Sequence, residues 1–391
     1  MTPVARIGEL AGVKAGVSAG HRRVCLGALI LAIAAAGCET APPSTSPAPL
    51  PPPKAPAPPA QPVPLAPAPA APPPGGPPGA PAHPAAPSPP SSPSSPPPAA
   101  RYPQIKPGDY RYATAGGATR YYGLHVPTGY DGTRALPVVI VLHGRGGSAV
   151  TANTFGFSEN ADRDGFFAVY PEAVPPARMW FTGLEVGPHS ADDVAYVRQL
   201  LAELSDLVYV DPRRIYAVGY SNGGTLAAHL AGALPGRIAA VATVDANIAI
   251  RDRKGVLTTV AKPAQPVSAL FIHGRLDHAS PYAGGPSPVL GGNNAVGARD
   301  GVSWWAEAMG CNATPKSVRH GETERLVYAD CRDNVTVQLT SYGGGHDWPK
   351  TLPLDTAQAP RPADYILDFF SGTGDFKRRP TLPFNAARRE P

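Results

Sequence analysis

The sequence predicts an α/β domain, with a mostly parallel sheet covered by helices on both faces, that follows a long disordered linker. Five apolar, β-branched runs of strand length indicate the sheet, because strands buried on both faces form such continuous runs. They are residues 136–142, 166–170, 215–220, 239–244 and 267–272. Helical patterns lie between them, and strands that alternate with helices are typical of parallel sheets.

The clearest helical pattern starts at Ser190, which we expect to cap the helix, with Asp192 and Asp193 in its favourable first turn. Apolar residues then recur at helical spacing. These are Val194, Val197, Leu200, Leu201 and Leu204. Further helices are predicted over 224–230 and 363–370, and alternating segments at 325–328 and 335–342 predict two more strands.

The linker is identified by its proline content. More than half of the 52 prolines lie between residues 41 and 100, a stretch that has Lys54 as its single charged residue and no aromatic residue. Such a segment cannot bury enough apolar surface to offset its ordering entropy. We therefore predict a disordered Pro/Ala-rich linker over 39–100 and one large domain over 101–391. We interpret the linker as a spacer, with a PxxP docking site as the alternative.

The first 38 residues are predicted to be an export signal. Arg22 and Arg23 precede an uncharged run, 24–36, which ends at Gly37-Cys38. The ending resembles a bacterial lipoprotein signal, which implies cleavage before Cys38, lipidation of its sulfur and a membrane contact through that lipid alone. An ordinary signal cleaved nearby, which would release a secreted protein, is the alternative. The run is shorter than the roughly 18–20 residues that cross a bilayer, so no permanent transmembrane helix is expected.

Net charge argues against nucleic acid as a partner. The formal charge is +5, but the first 38 residues hold four basic residues and one acidic residue, which leaves +2 for the rest. No run of lysine and arginine suggests a groove that follows phosphates.

Cys311 and Cys331 are the two cysteines outside the predicted signal. Export implies an oxidising compartment, so we expect a disulfide between them, which would contribute about 3 kcal/mol by closing a loop of about 20 residues. A catalytic thiol and a zinc site are the alternatives. The sequence has no CxxC or HExxH motif, and we expect neither a metal nor a cofactor.

A G-x-S-x-G motif, Gly219 to Gly223, places Ser221 between a predicted buried strand and a predicted helix. A serine on such a sharp turn is exposed for nucleophilic attack, although a glycine-rich structural turn is the alternative. Its hydroxyl needs a base, and His346 is the candidate because it follows the strand 335–342 in a loop whose three glycines let it approach the serine turn. A surface histidine without that role is the alternative.

The base in turn needs a carboxylate that fixes its tautomer. Asp277 follows the strand 267–272 and is favoured, while Asp245, which follows the preceding strand, is the alternative. The chain order Ser221, Asp277, His346 is that of the α/β-hydrolase fold. Backbone N–H groups of Asn222 and of Arg145, in the glycine-rich turn 143–148, are predicted to form the oxyanion hole. A turn without that role is the alternative for 143–148.

These motifs resemble those of the poly(3-hydroxybutyrate) depolymerase-like, feruloyl and acetylxylan esterases, which form carbohydrate esterase family one. The resemblance covers about residues 120–370. It rests on seven segments: 142–148, 192–194, 210–216, 219–224, 273–277, 281–285 and 343–349. It implies Ser221, Asp277 and His346 as a catalytic triad and the same two backbone groups as the oxyanion hole.

The expected function is that of an exported, monomeric serine esterase that acts through an acyl-enzyme. The expected substrates are feruloyl or acetyl esters of plant polysaccharide, or short polyhydroxyalkanoate oligomers. Trp348, Trp180 and Tyr282 are expected to form an apolar wall for the substrate, with burial in the core as the alternative. A peptidase of the same fold and a non-catalytic surface protein on a hydrolase scaffold are the competing hypotheses.

Overall fold

The computed structural model describes residues 5–6, 102, 105–114, 119–184, 192–354 and 359–373. All of them belong to a compact unit formed by Met1–Lys14 and Pro97–Pro391. Apart from Ala5 and Arg6, the predicted export signal with Cys38 and the linker 39–100 lie outside the described residues. None of the helices described is long and apolar enough to span a bilayer.

The central feature of the described residues is an eleven-stranded sheet. Its strands lie in the order β1 (Ala5–Arg6), β2 (Gly108–Ala113), β3 (Tyr121–Val126), β5 (Phe167–Pro171), β4 (Leu136–Leu142), β6 (Val210–Tyr220), β7 (Ala240–Val244), β10 (Ser268–Gly274), β15 (Val337–Tyr342), β14 (Thr323–Tyr328) and β13 (Lys316–His320). The six consecutive strands β5, β4, β6, β7, β10 and β15 are parallel to one another, and antiparallel strands extend the sheet at both edges.

Helices cover both faces of this sheet. They are α1 (Ala149–Asn153), α2 (Phe157–Asp164), α3 (Asp193–Leu207), α4 (Asn222–Ala233), α5 (Ala298–Ala308) and α6 (Pro362–Gly372). Alternate residues of β4 belong to opposite cores, since Val138 and Ile140 pack with residues of α3, α4 and α5, while Val139 and Val141 pack with residues of α1, α2 and α6. This two-sided burial is why β4 is apolar throughout.

The strand order and the strand–serine–helix turn between β6 and α4 define the α/β-hydrolase fold, as predicted. The predicted strands and helices are present, with ends that differ by a few residues. One detail of the prediction is wrong: helix α3 is capped by Asp192, whose side chain accepts a hydrogen bond from the Ala195 amide, and Ser190 lies outside the described residues.

A smaller antiparallel sheet contains short strands that the sequence analysis missed. These are β8 (Ala249–Arg251), β9 (Leu257–Thr259), β11 (Gly285–Pro286) and β12 (Asn294–Ala295), in the order β11-β12-β8-β9. Each has only two or three residues, too few to show an alternating pattern. The predicted disulfide is confirmed: Cys311 and Cys331 are bonded, which links the end of α5 to the segment between β14 and β15.

His125 predicts a pH-dependent contribution to stability. Its ring bridges Asp109 on β2 (Nδ1–Oδ1, 2.8 Å) and Asp162 on α2 (Nε2–Oδ1, 3.1 Å). Burial alone would lower the pKa of His125, but the hydrogen bonds to the two carboxylates outweigh it and the pKa is raised. A raised pKa stabilises the fold fully below the unfolded value of about 6.5, and this contribution disappears as the pH rises through the folded pKa.

We therefore expect the free energy of unfolding in urea of the wild type to fall, relative to that of His125→Gln, as the pH rises from about 6.5 through the folded pKa of His125. Because both carboxylates are more than a third exposed, solvent screening limits the expected difference to about 0.5–1 kcal/mol. Identical pH dependence of the two proteins would contradict this assignment.

Candidate active site

Ser221 lies in the turn between β6 and α4, at the carboxyl edge of the parallel strands. Its backbone has φ 53° and ψ −125°, a conformation that is costly for a residue with a side chain. The flanking glycines permit the turn, because a Cβ on Gly219 would lie 2.1 Å from the Gly223 carbonyl oxygen, and one on Gly223 would lie 2.3 Å from the His143 carbonyl oxygen. The G-x-S-x-G spacing is thus required by close backbone packing.

His346 and Asp277 reach Ser221 from loops that follow β15 and β10. His346 Nε2 lies 2.8 Å from Ser221 Oγ, and His346 Nδ1 lies 2.7 Å from Asp277 Oδ2. The two loops approach closely, since a Cβ on Gly274 would lie 2.4 Å from the Gly344 carbonyl oxygen. The structure therefore joins the three predicted side chains in one continuous series of hydrogen bonds.

The electrostatics of the site favour an ionised Asp277. Its side chain is fully buried, and its Oδ1 accepts hydrogen bonds from the amides of Ala279 (2.8 Å) and Ser280 (2.7 Å). Burial would raise the pKa of Asp277, but hydrogen bonds from His273, His346 and Ser280 outweigh burial and lower it. Burial also acts to lower the pKa of His346, yet the hydrogen bond and the charge of Asp277 raise it overall. The pair can therefore hold a proton on His346 next to Ser221.

The glycine-rich turn after β4 lies directly against Ser221. A Cβ on Gly144 would lie 3.4 Å from Ser221 Cβ, and the turn is closed by a hydrogen bond from the Gly147 amide to the Gly144 carbonyl (3.0 Å). Among the described residues the Arg145 amide has no backbone acceptor. The Asn222 amide is the first of helix α4, where N–H groups have no acceptor within the helix. The Asn222 amide thus adjoins Ser221 in the chain, and the turn that holds Arg145 contacts Ser221 at Gly144.

Two buried side chains that the sequence analysis did not assign to this role hold the turn. His143 Nε2 accepts a hydrogen bond from the Ala173 amide (3.1 Å), so Nδ1 carries the proton and donates to the Gly144 carbonyl (2.6 Å). Burial lowers the pKa of His143, which keeps the ring neutral. Trp180 Nε1 donates to the His143 carbonyl (2.8 Å).

The prediction that Trp180 lines the substrate site is wrong, because its side chain is fully buried. Its backbone is held by Asn222, whose Oδ1 accepts from the Trp180 amide (2.7 Å) and whose Nδ2 donates to the Trp180 carbonyl (3.1 Å). Asp193 holds the next residue by accepting from the Phe181 amide (2.6 Å) and forms a buried ion pair with Arg120. From the sequence, Asp193 is assigned only to the first turn of the helix. Its burial at the start of α3 shows that the carboxylate also holds the Phe181 backbone.

The other two predicted wall residues are half-buried. The Trp348 ring stacks on Phe155, with ring centroids 4.0 Å apart, in the loop that carries His346. Tyr282 packs edge-on against His273, with centroids 5.7 Å apart, and its hydroxyl accepts a hydrogen bond from Arg299. Both rings lie near the loops of the site and keep some exposed surface.

The family model and the sequence relatives that match this chain are esterases. The family model described as Esterase PHB depolymerase matches residues 120–281. Feruloyl esterase B of Piromyces equi is 32% identical over 228 residues, which are 56% of this chain and 41% of that protein. This chain therefore spans less than half the length of the Piromyces protein. NocK of Nocardia uniformis subsp. tsuyamanensis, which is named as an esterase, is 30% identical over 290 residues, or 67% of this chain and 82% of NocK.

Among solved structures, an acetyl xylan esterase from Aspergillus awamori matches with a TM-score of 0.48 and 12% identity, and the match covers 67% of this chain and 98% of that one. A ferulic acid esterase matches with a TM-score of 0.43 and 16% identity, over 62% of this chain and 92% of that one. The family match includes Ser221 and Asp277, and the likeness to NocK covers most of that relative. The chain belongs to the PHB depolymerase family of esterases.

Proposed function

We propose that this chain is a serine carboxylic-ester hydrolase that acts through an acyl-enzyme. The observation that carries the proposal is the series of hydrogen bonds from Ser221 through His346 to Asp277. A serine hydroxyl is a poor nucleophile until a base takes its proton, and here a base is within 2.8 Å of it. We assign the three side chains to the triad on this basis.

In the proposed first step, Ser221 Oγ attacks the ester carbonyl while its proton passes to His346 Nε2. Asp277 holds the Nδ1–H and stabilises the imidazolium that forms. Negative charge develops on the carbonyl oxygen, and the amides of Arg145 and Asn222 are the proposed donors to it. Each such donor is typically worth about 10²–10³ in rate.

The intermediate then collapses: the ester C–O bond breaks, and His346 gives its proton to the leaving alcohol. In the second half, His346 takes a proton from water, the resulting hydroxide attacks the acyl carbon, and Ser221 leaves with the proton that His346 returns. One residue therefore serves as base and acid in turn, and the free acid and the regenerated enzyme are the products.

We propose feruloyl or acetyl esters of plant polysaccharide, or short polyhydroxyalkanoate oligomers, as the substrates. The name of one relative, feruloyl esterase B, and the description of the family model, Esterase PHB depolymerase, support this range. The exposed parts of Trp348 and Tyr282 are the apolar surfaces that we assign to substrate contact. We further propose that residues 1–38 direct export, with Cys38 as the lipid-bearing residue, that 39–100 form a spacer, and that the catalytic domain is a monomer over 101–391.

Initial rates of the full chain on methyl ferulate and on a soluble 3-hydroxybutyrate oligomer test this proposal. Faster cleavage of methyl ferulate would identify a plant-wall esterase, and faster cleavage of the oligomer would identify a polyester-oligomer hydrolase. Hydrolysis of neither substrate above the rate of Ser221→Ala would contradict the proposed function.

A further inference from the structure

Asp245 is a buried carboxylate of the site that the proposed reaction does not use. It follows β7 directly, its side chain is inaccessible to solvent, and its amide donates to the Ile272 carbonyl (2.9 Å) on β10. Its φ of 51° lies in the left-handed region, which aspartate tolerates better than most residues. A buried carboxylate in an uncommon backbone conformation is costly, so its contacts are informative.

These contacts join Asp245 to both loops that carry the acid and the base. Oδ1 accepts from the Gly274 amide (2.8 Å), three residues before Asp277. Oδ2 accepts from the Tyr342 hydroxyl (3.2 Å), four residues before His346. The same hydroxyl lies 3.3 Å from the Asp347 carbonyl oxygen, directly after His346. One side chain therefore contacts the end of β10 and, through Tyr342, the chain on both sides of His346.

The groups that face Asp245 provide little positive charge to balance its negative charge. Tyr220 lies on β6, His273 on β10 and Tyr342 on β15, while Asp277 and His346 lie in the loops beyond these strands. Among the described residues no lysine or arginine forms an ion pair with Asp245. Asp245, His273 and Asp277 could bring three ligand atoms within 4.8 Å of one another, but the carboxylate oxygens already accept hydrogen bonds and all three side chains are buried. We therefore interpret Asp245, His273 and Asp277 as groups that interact through charge and hydrogen bonds rather than as a metal site.

We propose that Asp245 is a positioning residue whose buried negative charge, held between the ends of β10 and β15, supports the positive charge that His346 takes up during the reaction. This inference rests on the proposed function, since it assigns a further residue to the same site. It differs from the role of Asp277, which touches the His346 ring directly.

The titration behaviour of the site is consistent with this role. Burial raises the pKa of Asp245 to about 6, although His273 and the Gly274 amide oppose the change. The pKa of His346 is raised above its ordinary value of about 6.5, and Asp277, Asp245 and Asp347 all contribute to that rise after burial is overcome. Asp245 is therefore mostly ionised in the pH range where His346 loses its proton.

Asp245→Asn tests the charge with little change of shape. The Asn Oδ1 can still accept from the Gly274 amide, and its NH₂ can donate to the Tyr342 oxygen while that hydroxyl donates to the Asp347 carbonyl. Wild-type activity depends on neutral His346, so kcat/KM on methyl ferulate should fall as the pH drops through a value above 6.5. In Asp245→Asn this fall of kcat/KM at low pH, the acid limb of the pH profile, should move to lower pH by on the order of 0.5–1 unit. The kcat of this variant at pH 8 should be about three- to tenfold lower than that of the wild type.

Asp347→Asn is the matched control. Asp347 also raises the pKa of His346, but it is exposed, so its effect should be smaller and should disappear in about 0.5 M salt. The shift caused by Asp245→Asn should persist in salt. Should Asp245→Asn not fold, Asp245→Ser removes the same charge within the same space and takes the same test.

The His346 ring also reports the charge without turnover. Its pKa, measured by NMR and assigned with His346→Gln, should be lower in Asp245→Asn than in the wild type. An unchanged ring pKa and an unchanged acid limb in a folded variant would overturn the proposal, even if kcat fell. If the wild type hydrolysed no ester but the ring pKa still shifted, the proposed function would fail while the charge coupling stood.

Discussion

Ser221→Ala is expected to lower kcat on ester substrates by about 10⁴–10⁶ while the fold stays intact. The hydroxyl forms the covalent bond in the proposed reaction, and alanine has no atom that can replace it. Because Ser221 Oγ contacts His346 at the edge of the sheet rather than in the core, its removal should leave Tm within about 2 °C of the wild type.

The test compares the two proteins in two measurements. One is the single-turnover rate on methyl ferulate or on the 3-hydroxybutyrate oligomer, whichever the wild type cleaves faster, and the other is thermal unfolding. Ser221→Gly is a useful control, because glycine relieves the strained backbone at φ 53° and should be equally inactive. A Ser221→Ala variant that kept more than about one hundredth of the wild-type kcat would show that another group attacks the ester.

Asp277→Asn is expected to lower kcat by about 10⁴, the loss that follows when the base is held in the wrong tautomer. The Asn NH₂ would face His346 Nδ1, so Nδ1 would accept and the proton would lie on Nε2, next to the Ser221 hydroxyl that needs an acceptor. Binding of substrate does not require this proton, so KM should change much less than kcat.

Asp245→Asn is the control for Asp277→Asn, since both replace a buried carboxylate of the same cluster by its amide. The expected loss of kcat in Asp245→Asn is at most about tenfold, which is on the order of 10³-fold smaller than the loss in Asp277→Asn. If Asp245→Asn were instead the more damaging change, Asp245 would be the acid of the triad and the assignment of Asp277 would be wrong.

The parallel sheet and the candidate triad were predictable because their signals are local. A strand buried on both faces is apolar throughout, as β4 is, and a glycine is required where a Cβ would lie within 2–3 Å of backbone atoms, as at Gly219 and Gly223. His346 and Asp277 each follow a predicted strand directly, and the carboxyl ends of parallel strands meet at one edge of a sheet.

The contacts that hold the turn 143–148 and the contact between Tyr342 and Asp245 could not be predicted in the same way. Trp180 was predicted to contact substrate although aromatic residues more often fill cores, and only the tertiary packing shows that its ring is buried against His143. The pairing of Asn222 with the Trp180 backbone, and of Tyr342 with Asp245, joins segments 42 and 97 residues apart. Such contacts depend on tertiary geometry, for which spacing along the chain contains no signal.

The most direct test of the central claim is the intact mass of the full chain after incubation with an alkyl fluorophosphonate. Phosphorus bonds to the activated serine oxygen, fluoride leaves, and the hydroxyl proton passes to the base. We predict a single adduct per chain, mapped to the peptide that contains Ser221, with no adduct in Ser221→Ala and slow labelling in Asp277→Asn. An unlabelled wild type that still hydrolyses esters, or an adduct on another residue, would contradict the assignment of Ser221 as the nucleophile.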